Sequence, residues 1–244
     1  MRTPLDSRID QALHTLNLGK YKHDSSTCEA CLKNRRRANK VKASTTQTKY
    51  SHFGECVTSD TIGPFPRSLI GQYEYAVCFY DRATHYPSVY FLKSKDSGSV
   101  LNAAKQFMID HKRFLSKTVL PGVVDTWHCD NGTEFTANNV DEFCAELGVR
   151  RTYSPPYAPD RNAHAERLWY TLLRPMRVML AHSGYDGIKS LLWPFLMQYA
   201  CEIQRALPTS ANHQGASPYE LLAHHPYDLS KFKVMFCDCF ALVP

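Results

Sequence analysis

The chain has 244 residues, 43% of them hydrophobic and 12% aromatic, which is enough for one sizeable core plus an appendage and argues against general disorder. No apolar run reaches the length of a membrane span and no signal-peptide core is present, so a membrane partner is not expected; nine scattered cysteines point to a reducing, intracellular compartment. The net charge of +6 is uneven: residues 1–50 hold 11 Lys+Arg against 4 Asp+Glu, while the remaining 194 hold 18 against 19, so a basic arm precedes a near-neutral body and suits an anionic partner, nucleic acid before membrane surface.

In chain order, Ile9, Leu13, Leu16 and Leu18 predict a helix over 7–20. "CEACLKNRRRANKVKAS" follows, a Cys-x-x-Cys running straight into a basic cluster, and "ASTTQTKY" (43–50) reads as a linker. "FGECVTSDT" (53–61), "YEYAVCFYD" (73–81) and "PSVYFLKS" (87–94) predict three consecutive strands. Asp96 is placed to cap a helix reaching Ser116, "GVVDTWHC" (122–129) predicts a fourth strand, 136–147 a helix stopped by Gly148, and "VRRTYS" (149–154) a fifth strand. A long helix is expected over 162–182, kinked at Pro175, and another over 188–205. The pattern is α/β: a mixed five-stranded sheet flanked by helices.

Three carboxylates fall at the edges of these elements. Asp60 lies near the end of the first strand, Asp130 ends the fourth inside "TWHCDNGTEF", and Glu166 opens the long helix. Singly, each has a structural explanation: Asp60 in a turn, Asp130 in an Asx turn, Glu166 favoured by the helix dipole. Together, at one edge of an α/β sheet, they would offer hard oxygen ligands to Mg²⁺ or Mn²⁺ in a two-metal site.

Asp130 and Glu166 are separated by 35 residues, and around them stand "CDNGTEF", "YSPPYAPDRNAHAERLWYTL" and "SPYELL". In these features the chain resembles the D,D-35-E catalytic core of retroviral-type integrases, most of all those of copia-type long-terminal-repeat retrotransposons, from about Cys28 to its C-terminus. The resemblance implies a ribonuclease H-like fold and a metal-binding catalytic triad of Asp60, Asp130 and Glu166. It also implies metal-dependent joining of element DNA 3′-OH ends to target DNA, with optional trimming of those ends, and a homo-oligomer that holds two ends. It makes Asn131, Tyr157, Asn162, Arg167 and Arg174 candidates for DNA contact, with Arg177 on the same helix. Two departures from the family pattern stand out: Asn162-Ala163 replaces an Asn-Gly, and Pro175 interrupts a helix that is commonly continuous.

Cys28-x-x-Cys31 resembles the second half of the integrases' His-His-Cys-Cys zinc module. Only His14 and His23 precede it, at spacings that do not fit, so any Zn²⁺ site reads as incomplete. Lys33, Arg35, Arg36, Arg37, Lys40 and Lys42 form a phosphate-binding or nuclear-import run, and a nuclear location is expected. The expected division is 1–42 for the partial zinc-like segment and basic arm, 43–50 for the linker, 51–225 for the catalytic core and 226–244 for the start of a C-terminal extension. Both ends read as cut from a longer polyprotein. Against the integrase reading stand an inactive or repurposed nucleic-acid-binding protein and a ribonuclease H-like nuclease.

Overall fold

The computed structural model describes residues 27–29, 50–154, 163–183, 187–233 and 235–236, with 163–166 and 188 described by backbone alone. The helix expected over 7–20 and the basic cluster lie outside the described residues. Strands β1 (Val57–Ile62), β2 (Tyr75–Asp81), β3 (Pro87–Leu92), β4 (Thr126–Cys129) and β5 (Arg150–Tyr153) form one sheet in the order β3-β2-β1-β4-β5. β1, β2 and β3 are antiparallel neighbours, whereas β4 pairs parallel with β1 and β5 parallel with β4. A parallel partner needs a crossover, and helices α1 (Ser97–His111) and α2 (Asn138–Glu146) supply the two. The mixed five-stranded sheet expected from the sequence is present.

Alternation along β2 divides the core. Val77 and Phe79 face a layer built with Val100, Phe107, Trp127, Phe135 and Val140, under α1 and α2. Ala76 and Cys78 face the opposite layer, formed by α3 (Ala163–His182) and α5 (Trp193–Ala206) through Leu168, Trp169, Leu172, Leu196, Met197 and Cys201. Both sheet faces are therefore covered, and the functional edge is left at the strand ends.

Element ends differ from the expectation for local reasons. Helix α1 stops at His111, and a short 3₁₀ turn at Leu115–Lys117 folds back so that Leu115 is buried. Strand β4 begins at Thr126 because Gly122, at φ 89°, turns the chain first. The helix expected over 188–205 is two: α4 (Gly187–Ser190) and α5, broken where the Leu191 carbonyl accepts from the Leu69 N–H at 2.9 Å and Pro194 opens the next helix. Pro175 lies inside α3, which continues from Ala163 to His182. Leu172 and Met176 bury against the α5 layer on either side of it, which offsets the backbone bond that proline cannot donate. Helix α6 (Pro218–Ala223), within "SPYELL", is capped by Ser217, whose hydroxyl accepts from the Glu220 N–H at 3.1 Å.

Candidate active site

β1 and β4 lie side by side in parallel, with Val57 opposite Trp127 and Thr58 opposite His128. The paired register ends there; continued two places, it would bring Asp60, within β1, level with Asp130, the residue that follows β4. Asp60 pairs with Cys78 across β2, so its side chain points to the α3–α5 layer. There the indole Nε1 of Trp169 donates to Asp60 Oδ2 at 3.1 Å, and the Thr61 N–H donates to Oδ1 at 2.8 Å.

Asp130 does close an Asx turn: the Gly132 N–H donates to its Oδ1 at 2.9 Å. The turn and the strand-end placement are the same feature, so the two explanations offered by the sequence do not compete. Position 132 is crowded: a Cβ there would come within 2.7 Å of Glu134 Oε2 and 3.0 Å of Asp130 Oδ1, so a larger residue would displace one of these carboxylates.

Glu134, only 4% exposed, is a third carboxylate at this edge. Its Oε1 accepts from the Thr61 hydroxyl at 2.6 Å and pairs with Lys95 Nζ at 3.0 Å. Burial alone would raise this carboxyl, but the Thr61 hydroxyl, its own backbone N–H and Lys95 outweigh it and hold the group below the usual glutamate value. Neither Glu134 nor Trp169 stands out in the sequence as part of a site: Trp169 occupies an apolar helix position, Glu134 sits among turn residues, and Lys95 resembles a surface charge.

The remaining candidates divide by position. Glu166 lies in the first turn of α3, one helical turn before Trp169, and its side chain is among those not described. Arg167, Arg174 and Arg177 are exposed along α3, and Asn131 Nδ2 donates to the Ser154 carbonyl at 2.8 Å, pinning the Asp130 turn to the end of β5. Tyr157, Asn162, Cys31, Lys33, Arg35, Arg36, Arg37, Lys40 and Lys42 lie outside the described residues. Cys28 Sγ sits 3.6 Å from His182 Nε2 at the end of α3.

Among the described residues no cluster of three or more His, Cys, Asp or Glu is gathered as a metal set. The donor chemistry nonetheless fits a hard divalent cation, because Asp60 near the end of β1 and Asp130 just after the adjacent β4 both offer carboxylate oxygens. Cys129, one residue before Asp130, is fully buried, and desolvation pushes its thiol up to about 12, partly opposed by Arg151; it is no thiolate nucleophile.

Comparison with known proteins places these features in context. The family model described as the TnsB C-terminal domain matches residues 71–180, a span that includes Asp130 and Glu166 and begins after Asp60. A retrovirus-related Pol polyprotein from transposon RE2 of Arabidopsis thaliana is 26% identical over 93% of the chain, and one from transposon TNT 1-94 of Nicotiana tabacum is 27% identical over 89%. The chain spans only 14% and 15% of those relatives. Among solved structures, a chain of the simian T-cell lymphotropic virus intasome in complex with PP2A regulatory subunit B56 gamma superposes with a TM-score of 0.55 at 15% identity. That superposition covers 99% of this chain and 81% of the other. The HTLV-2 integrase catalytic core domain in complex with magnesium gives 0.50 at 15% identity, covering 69% and 96%. The fold is thus the ribonuclease H-like fold of retroviral integrase catalytic cores, and the homologues of this chain are Pol polyproteins of copia-type retrotransposons.

Proposed function

We propose that this integrase-like core is a polynucleotidyl transferase that joins the 3′-OH ends of element DNA to phosphates of target DNA, and trims those ends with the same residues. The observation that carries the reading is the parallel pairing of β1, which holds Asp60, with β4, which Asp130 follows, and the hydrogen bond from Trp169 that ties the helix bearing Glu166 to Asp60. Asp60, Asp130 and Glu166 would hold Mg²⁺ or Mn²⁺, which when bound stabilises the attacking and leaving oxygens of an in-line phosphoryl displacement. The magnesium carried by the HTLV-2 core supports that choice.

The chain's own residues then have distinct tasks. The triad would hold and orient the cation; Arg167 and Arg174, exposed on α3, and Asn131 beside Asp130 would seat the DNA backbone, together with Tyr157 and Asn162. Lys33, Arg35, Arg36, Arg37, Lys40 and Lys42 would add sequence-independent, salt-sensitive affinity and direct the protein to the nucleus. No covalent enzyme intermediate is required, which agrees with the inert state of Cys129. Two DNA ends call for more than one copy of the chain, and the neighbours named as an intasome and a trimeric form support a homo-oligomer. No helix among the described residues is long and apolar enough to cross a membrane.

The test is a strand-transfer assay with labelled duplex ends and Mn²⁺, comparing wild type with Asp130→Asn. Joined product from the wild type alone is expected. Nicking without joining would reassign the chain as a nuclease. DNA binding by both proteins with neither product would make it a binding protein only.

A further inference from the structure

We infer that Glu134 is a positioning residue, the centre of a clamp that fixes Asp60 and Asp130 relative to each other and so sets the affinity of the site for a divalent cation. The inference deepens the function proposed above and rests on it.

Glu134 reaches from the turn after β4 to the end of β1. Through Oε1 it takes the hydroxyl of Thr61, the residue after Asp60, at 2.6 Å. Its Oε2 lies within 2.7 Å of the point where a Gly132 Cβ would stand, and Asp130 Oδ1 lies within 3.0 Å of the same point. One oxygen is thus tied to the end of β1, and the other packs against the turn that carries Asp130. Asp60 and Thr61 are successive residues of a strand, so their side chains leave opposite faces. Trp169 grips Asp60 on the α3 side; Glu134 grips Thr61 on the α1 side. β1 is therefore held from both faces at the position where a ligand must not move.

Two carboxylates this close repel each other. Lys95, in the loop that leads into α1, supplies the compensating charge at 3.0 Å from Glu134 Oε1. The arrangement brings together three segments, β1, the β3–α1 loop and the β4–α2 loop, that share no other hydrogen-bonded centre among the described residues. A buried glutamate serving only the turn would not need to reach 73 residues back to Thr61. Small, hard cations tolerate little deviation from ideal ligand geometry, so support around the ligands shows up directly in affinity.

The test uses the whole chain and reads Mn²⁺ binding directly, as loss of the free-ion electron paramagnetic resonance signal, in parallel with thermal unfolding of the metal-free protein. The variants are Glu134→Gln, Thr61→Val, Thr61→Ser and Asp130→Asn. Glu134→Gln and Thr61→Val are expected to weaken Mn²⁺ binding by about 10- to 100-fold, the effect usual for groups that support metal ligands. Thr61→Ser, which keeps the hydroxyl, is expected to stay near wild type, and the double variant Glu134→Gln/Thr61→Val to be no worse than the poorer single one. Unchanged Mn²⁺ affinity in Glu134→Gln and Thr61→Val, alongside loss of binding in Asp130→Asn, overturns the clamp and leaves the metal site standing. Equal loss in Thr61→Ser and Thr61→Val also overturns it, since the hydroxyl would then be irrelevant. Absence of Mn²⁺ binding by the wild type overturns both the clamp and the function it serves.

Discussion

Trp169 Nε1 and Asp60 Oδ2 meet at 3.1 Å across 109 residues of sequence, so the long helix is docked on the first strand at the side chain proposed to bind metal. Replacing Trp169 by Phe keeps a ring in a site that is 5% exposed but removes the donor. A hydrogen bond to a charged group contributes roughly 1.5–3 kcal/mol. Strand transfer is expected to fall by about 10-fold or more, with a smaller fractional effect on the urea midpoint. A Trp169→Phe protein that joins ends at the wild-type rate would show that the indole does not hold Asp60.

Gly132→Ala places a methyl between Asp130 and Glu134, at 3.0 and 2.7 Å from their nearest oxygens. One carboxylate must shift. A displacement of that size at a reacting centre can cost about 100-fold in rate. The expected outcome is a loss of that order in strand transfer with an unchanged far-ultraviolet circular dichroism spectrum.

His111 makes folding stability depend on pH away from the site. Burial pushes its imidazole down to about 4; the Phe107 carbonyl opposes that shift, Arg205 and Arg113 add to it, and Asp110 opposes it. Nδ1 faces the Phe107 carbonyl at 2.9 Å and Nε2 faces the Ser88 hydroxyl at 3.4 Å, an arrangement suited to a neutral ring with its proton on Nδ1. The folded value lies below the unfolded one of about 6.5, so the unfolded chain binds the extra proton. Stability is complete above pH 6.5 and is lost as pH falls from there toward 4, by roughly 2–3 kcal/mol at pH 4.5. Urea titrations at pH 7 and 4.5 should show a smaller difference for His111→Phe than for wild type; equal differences would rule out His111 as the source.

Arg205 closes one edge of the sheet. Its Nε donates to the Pro87 carbonyl at 2.7 Å, Nη2 lies 3.4 Å from Ser88 Oγ, and the guanidinium stands 4.7 Å from the Tyr86 ring centroid. Lysine cannot reproduce this planar fork. Arg205→Lys is expected to destabilise the chain by about 1–3 kcal/mol in urea, because the Pro87 carbonyl keeps only the weak Cys201 thiol donor at 3.5 Å. A midpoint equal to wild type would place the anchoring of β3 elsewhere.

Much of the fold could be read from the sequence because its signals are local. The β-rich runs at 73–81 and 87–94 are bounded by turn residues, Asp96 caps α1 by accepting from the Ser99 N–H at 2.9 Å, and Asp130 precedes an Asn-Gly that folds as its types demand. The adjacency of β1 and β4, which Asp60 and Asp130 lie on and after, belongs to the ribonuclease H-like fold that the resemblance implied. What the sequence did not reveal depends on contacts between distant segments. Nothing near Lys95 indicates that its ammonium meets Glu134, and the hydroxyl of Thr61 has no periodic signature. Trp169 fitted the apolar stripe of α3 so well that its polar atom was passed over. Pro175 carries a local penalty, yet the helix continues through it, with Leu172 and Met176 buried on the same helix.

The sheet order has a consequence for how the protein comes into being. The meander β1–β2–β3 is contiguous in sequence and can close through short turns, whereas β4 reaches β1 only after α1 and its following loop are in place. The seam between those two strands is what brings the segments carrying Asp60 and Asp130 together. On the function proposed above, affinity for a divalent ion emerges late, as a property of the finished molecule rather than of the first meander.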